Sequence, residues 1–315
     1  MATANDFGDG KPSRLSTLEE LYCPTSLTRT PGIHEQLTFL SVLNVFLSIT
    51  AFLGNALILV ALCKDSSLHP PSKLLLRCLT ITDLCAGLIS KPLVIIYWIS
   101  LIGEYRNICP YVSAAAVITG LILSGVSLLT VTAISVDRLL ALLLGLKYRQ
   151  VATLKRTYAI VIIFWVVSTA LTLMCLWKLS ITLWSSAFVV LLCLVTSIIS
   201  YTKIFFTLRR HQVQLQEQSQ QPNQTRPQNM ARYKKAVSSA IWLQVTLVIC
   251  YLPLGIVVAL FTDSELSSSA FLANQYTIML VFLNSSLNPI LYCWKVEEVR
   301  QAVKETIRQV LCCSS

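Results

Sequence analysis

Of the 315 residues, 55% are hydrophobic and only 13% are charged, about half the charged fraction of an ordinary soluble domain. That composition favours an integral membrane protein over a soluble globular fold. The formal net charge of +10 needs no nucleic-acid partner, because the basic residues cluster in the connections between apolar runs.

Residues 1–36 are polar, lack the apolar core of a cleavable signal peptide, and read as an extracellular N-terminal segment. Seven apolar runs follow, at 37–63, 78–98, 107–136, 157–177, 179–202, 236–262 and 266–294. Each supplies the roughly 20 residues that a spanning helix needs. The alternating segments of about ten residues expected of a β-barrel are absent. The predicted fold is an all-α integral membrane protein, a seven-transmembrane helix bundle over 37–294. Only the second run contains acidic or basic residues, Asp83 and Lys91.

One side of the bundle, with the C-terminal tail, collects 19 of the 25 basic residues. By the positive-inside rule that side is cytoplasmic and the N-terminus lies outside, in a multi-pass protein. The same residues meet anionic lipid of the inner leaflet. The longest connection, about 209–233, includes "HQVQLQEQSQQPNQTRPQ" and reads as a flexible cytoplasmic loop. Between the fourth and fifth runs there is almost no loop. In the 295–315 tail, Val296, Val299, Val303, Ile307 and Leu311 recur at three-to-four spacing, which predicts an amphipathic surface helix. Cys312 and Cys313 at its end suit palmitoylation.

Six of the eleven cysteines (Cys63, Cys78, Cys85, Cys193, Cys250 and Cys293) fall in helices or at their inner ends and serve as small apolar fillers. Cys23, Cys109 and Cys175 lie on the outer side, where one pair can bridge; spacing does not choose which.

Inside the membrane an unpaired polar group costs several kcal/mol, so intramembrane polar residues are functional candidates. Asp83 needs a cation, a proton or several donors. Asn55, Ser127, Asn284, Ser285 and Asn288 are its candidate neighbours, and Asn284 and Asn288 share one helix face. A carboxylate among hydroxyl and amide oxygens suits a hard cation, sodium before any transition metal. Asp137 and Arg138 stand as a charged pair at the inner end of the third span, where such a pair is normally solvated. Pro253 and Pro289 each remove a backbone hydrogen bond from their helices.

These motifs, with Gly54, Trp165, Tyr201, "CYLP" at 250–253 and "NPILY" at 288–292, follow in order, and the chain resembles the rhodopsin-like (class A) G-protein-coupled receptors. The resemblance implies the plasma membrane, with the N-terminus extracellular. It also implies an extracellular ligand, a heterotrimeric G protein, and arrestin as a second cytoplasmic partner. It implies no cofactor beyond a bound sodium ion and no catalysis. Asp83, Ser127, Asn284, Ser285 and Asn288 then form the sodium site, while Asp137, Arg138, Tyr201, Tyr251, Pro253, Pro289 and Tyr292 form the activation switch. The chain departs from the family at several points: DRY is DRL, Tyr251 replaces a tryptophan, Ser113 stands where a cysteine is expected, and "ARYKKAV" at the start of the sixth span offers no acid. The short second outer loop and proline-free fifth span look like the melanocortin, lysophospholipid and cannabinoid branch. The family's ligand pocket falls on Gly120, Leu121, Ser124, Leu254, Val258, Ile278 and Phe282. Its apolar lining implies a lipid-like or weakly polar ligand, or a peptide with an apolar end.

Overall fold

In a hydrocarbon layer every backbone N–H and C=O must be paired, and the described chain meets that demand with helices. The computed structural model describes residues 23, 30–64, 69–174, 179–217, 242, 245–260, 267–295 and 297–312. Among them the long helices are α1 (Ile33–Lys64), α2 (Pro70–Ile102), α3 (Cys109–Leu144), α4 (Leu154–Met174), α5 (Leu179–Glu217), α6 (Val245–Leu260), α7 (Ser268–Lys295) and α8 (Glu297–Cys312). A single turn, Tyr148–Val151, lies between α3 and α4. The first five are long and apolar enough to cross a membrane. The described part of α6 is shorter. The seventh, 28 residues long, is crowded with Asn, Ser and Thr that lower its apolarity.

Each expected span contains one of these helices. Prolines open α2 and α3 at their first positions, where a missing N–H costs nothing. The largest difference concerns the inner loop: α5 continues as helix to Glu217, so the loop expected from 209 begins later. Arg, Gln, Leu and Glu in this stretch are good helix formers and prolong the helix beyond the membrane. The remainder of that loop, with Tyr233, Lys234 and Lys235, and Cys175 and Cys313 lie outside the described residues. The side chains of Tyr292 and Cys312 are also not described.

Burial along α1 shows how the bundle sorts its residues. Phe39, Phe46, Leu53 and Val60 are exposed at intervals of seven, forming a stripe for lipid, while Leu37, Leu40, Asn44, Ala51, Asn55 and Ile58 face inward. The amides Asn44 and Asn55 lie on that inner stripe, whereas the exposed hydroxyls of Thr38 and Thr50 are paired with carbonyls of their own helix. Helix α1 packs on α2 and α7, and α3 is central, touching α2, α4 and α5. Two apolar clusters fill the bundle. One gathers Leu79, Leu128, Val131, Leu247 and Tyr251. The other gathers Leu37, Trp98, Cys109, Phe271 and Phe282. The polar core described next lies between them.

Cys23 and Cys109 form a disulfide, which settles the choice among the outer cysteines and ties the N-terminal segment to the top of α3. Ser113 is buried one turn below, its hydroxyl donating to the Pro110 carbonyl at 2.9 Å.

Candidate functional site

Two prolines create the backbone vacancies around which the site is built. Pro289 in α7 has no N–H for the Ser285 carbonyl. Asn55 of α1 supplies the missing donor, its Nδ2 reaching Ser285 O at 3.0 Å and its own-helix Ala51 O at 2.8 Å. Close approach is required: a Cβ at Gly54 would lie 2.9 Å from Pro289 Cβ and Cγ. The same device recurs in α2. Before Pro92, residues Ala86–Ser90 form a π turn, in which the N–H five residues on from Gly87 would belong to Pro92. Ser48 of α1 donates to Gly87 O instead, at 2.5 Å. A Cβ at Gly87 would lie 2.9 Å from the Phe52 nitrogen. Asn44 donates to Lys91 O at 3.2 Å. Asn44, Ser48 and Asn55 thus share the inner face of α1, capping carbonyls of α2 and α7.

Against this frame sits Asp83, 1% exposed. The Ser127 hydroxyl of α3 donates to Oδ1 at 3.1 Å and the Asn288 amide of α7 to Oδ2 at 2.7 Å. Ser285 hydrogen-bonds the carboxylate as well. The structure therefore brings Asp83, Ser127, Ser285 and Asn288 together. Asn284 is placed one step aside, beside Tyr251 of α6; its Nδ2 is buried with no hydrogen-bond partner among the described residues. Asn55, a candidate neighbour of the carboxylate, spends its amide on backbone carbonyls instead. A carboxylate surrounded by hydroxyls and amides, with no cluster of His, Cys, Asp or Glu among the described residues, is the donor set of a hard cation. These residues fit sodium.

At the inner end of α3, Asp137 and Arg138 occupy separate environments. Asp137 is 7% exposed. It accepts from Ser72 Oγ of α2 at 2.7 Å and from the Tyr148 hydroxyl at 2.6 Å. The reason is geometric: consecutive residues on a helix point about 100° apart, so Asp137 turns to α2 and the loop while Arg138 stays exposed. His69 packs on the Tyr148 ring at 5.1 Å. Burial pushes the Tyr148 phenol up to about 12, and its bond to the Asp137 carboxylate adds to the rise. Tyr201 of α5 is buried and hydrogen-bonds Ser135, close enough to Arg138 to feel its charge. Tyr251, where the family carries a tryptophan, is buried and its hydroxyl donates to Ser124 O at 3.5 Å. Pro253 lies within α6 and Pro289 within α7.

The residues read as a ligand pocket are distributed between two neighbourhoods. Phe282 and Ile278 pack in the cluster of Trp98 and Phe271, whereas Leu254 packs against that of Leu79 and Tyr251. Gly120 is open to Ser90 and Phe282, which lie 3.5 and 4.0 Å from where its Cβ would stand. The Ser124 hydroxyl is turned onto the Gly120 carbonyl at 2.6 Å.

Tyr148 and Ser72 were not singled out from the sequence, and only their distance from Asp137 reveals them. Asn44 and Ser48 had a signal: polar residues at helical spacing with Asn55, opposite a proline in the next span. Lys91 was visible as an intramembrane charge but had no assigned partner. It is buried and donates to Leu47 O at 2.9 Å and Ser286 Oγ at 2.7 Å.

The family model described as "7 transmembrane receptor (rhodopsin family)" matches residues 54–178 and 175–292. Among curated proteins, melanocortin receptor 4 of Danio rerio is 24% identical over 294 residues, covering 90% of this chain and 86% of the relative. Adenosine receptor A2b of Gallus gallus is 23% identical over 313 residues, covering 86% and 88%. Melanocortin receptor 5 of Pan troglodytes is 24% identical over 285 residues, covering 85% and 82%.

Proposed function

Because the chain belongs to the rhodopsin family of seven-transmembrane receptors, a class that binds extracellular ligands and signals through G proteins, we propose that its buried polar core is the conformational switch linking the two. The observation that carries this reading is the convergence of α2, α3 and α7 on one carboxylate, Asp83, by hydrogen bonds from Ser127 and Asn288. Three helices held by a single charge cannot move independently. A ligand that prefers one arrangement shifts the whole set by its differential affinity.

Sodium held by Asp83, Ser127, Ser285 and Asn288, with Asn284 at the rim, supplies a positive charge that favours the arrangement in which these residues meet. Pro289 leaves α7 without one backbone bond, so that Tyr292 turns inward when the core reorganises, and Pro253 gives α6 the same freedom. Arg138, already exposed at the inner end of α3, and Tyr201 beside it then receive the G-protein helix. The receptor itself catalyses no reaction. Its N-terminus is extracellular in the plasma membrane, arrestin is a second cytoplasmic partner, and Cys312 and Cys313 carry palmitate that anchors α8 to the inner leaflet.

For the ligand we take the apolar lining of Gly120, Leu121, Ser124, Leu254, Val258, Ile278 and Phe282 as the guide: a lipid-like molecule or an apolar-ended peptide. Relatives named for melanocortin and for adenosine match almost equally, so identity favours neither ligand. The test is nucleotide exchange on purified G proteins of several families, driven by a panel of lipids, peptides and nucleosides. A lipid or peptide agonist supports the reading; a nucleoside agonist refutes the apolar assignment, and no exchange with any agonist that binds refutes the coupling.

A further inference from the structure

Lys91 is a basic side chain in the bundle that the proposed switch does not use. Its side chain is fully buried, in a span where an ionised group is costly unless something answers it. The two acceptors of its Nζ, Leu47 O and Ser286 Oγ, are both neutral. The acid whose charge it feels is Asp83. Lys91 lies eight residues beyond Asp83, about 12 Å along the axis at 1.5 Å per residue. Helical side chains lean towards the N-terminus, which here is towards Asp83, and Ser286 is next in sequence to Ser285 on the carboxylate. The two charges are therefore separated by on the order of 10 Å through the protein interior.

We propose that Lys91 is a tethered counter-cation: its ammonium supplies the polar core with positive charge that Asp83 otherwise draws from dissolved sodium, and so holds the sodium affinity of the site low. This rests on the reading that Asp83 binds sodium. A sodium ion entering beside Asp83 meets the ammonium as a like charge. At about 10 Å and an effective dielectric of about 20, the repulsion weakens its binding by on the order of tenfold. Because the ammonium is tied to α1 through Leu47 and to α7 through Ser286, a shift of α7 moves the tethered charge along with the ligands of the ion. The chain thereby carries part of its ion regulation in a covalent side chain, independent of the medium.

The test uses the full-length receptor in detergent, with sodium chloride replacing N-methylglucamine chloride at constant ionic strength, and follows the thermal unfolding midpoint as a function of sodium. Lys91→Gln keeps N–H donors for Leu47 O and Ser286 Oγ but removes the charge; Lys91→Met is a second neutral variant should the first not fold; Lys91→Arg keeps the charge. The neutral variants are expected to lower the half-saturating sodium concentration about tenfold, Lys91→Arg to leave it at the wild-type value, and Asp83→Asn added to a neutral variant to abolish the response. A sodium midpoint unchanged by loss of the Lys91 charge overturns the proposal. Sodium stabilisation that survives Asp83→Asn overturns the sodium reading of Asp83 instead, so the two failures are distinct.

Discussion

Asn55 and Pro289 are expected to be energetically coupled, because one answers a vacancy that the other creates. Asn55 Nδ2 donates to Ser285 O at 3.0 Å, the carbonyl that a residue other than proline at 289 would reach through its own N–H. Asn55→Leu keeps the branched outline of the side chain and leaves that carbonyl buried and unpaired, a loss of about 1–3 kcal/mol. With Pro289→Ala in the background, the restored N–H pairs with Ser285 O, and the same Asn55→Leu change then costs about 1 kcal/mol or less. The coupling energy is the difference, about 1–2 kcal/mol, and the double-mutant cycle isolates it from the helix-propensity effect of Pro289→Ala alone. The assay is heating of the purified receptor with a thiol-reactive fluorophore. Cys78, Cys193 and Cys250 are buried and free, so they label on unfolding, over a background from the exposed Cys63. About 2 kcal/mol corresponds to a midpoint shift of roughly 3 °C for a chain of this length. Equal losses from Asn55→Leu with and without the Pro289→Ala change would refute the reasoning and reduce Asn55 to ordinary packing.

The exposed Arg138 gives a second expectation: Arg138→Ala abolishes or severely reduces G-protein nucleotide exchange while surface expression, measured by antibody on intact cells, is retained, since only a long charged fork can meet the G protein there. Cys23→Ser and Cys109→Ser each release a loop closed over a separation of 86 residues and should lower stability by about 2–4 kcal/mol; the double variant should match the singles in a thermal melt, and additive losses would count against the pairing. Tyr148, whose phenol is raised to about 12 by burial and by Asp137, holds a proton that the unfolded chain releases near pH 10. Its contribution is present in full below pH 10 and is lost as pH rises through 12. Tyr148→Phe should therefore flatten the loss of stability between those values in a melt taken as a function of pH, and an unchanged slope would sink the assignment.

Much of this protein is written in one dimension. Lipid imposes an apolar stripe on every span, so the spans and the amphipathic α8 follow from composition and spacing alone. The polar core was legible for the same reason: Asp83, Ser127, Ser285 and Asn288 are conspicuous because hydrocarbon tolerates few such residues. What the pattern of residues left undetermined is the choice among partners that it makes equally eligible. Asn55 stood as a neighbour of Asp83 but caps a carbonyl 230 positions away. Asp137 stood as the partner of Arg138 but is held by Ser72 and Tyr148. Cys23 had two eligible mates and took Cys109, and Lys91 had none until Ser286, 195 positions on, came within 2.7 Å. A hydrogen bond is lost over a few tenths of an ångström, a precision that helical periodicity does not carry. Only the packing of α1 against α2 and α7, drawn close by Gly54 and Gly87, decides which of the eligible pairs meet.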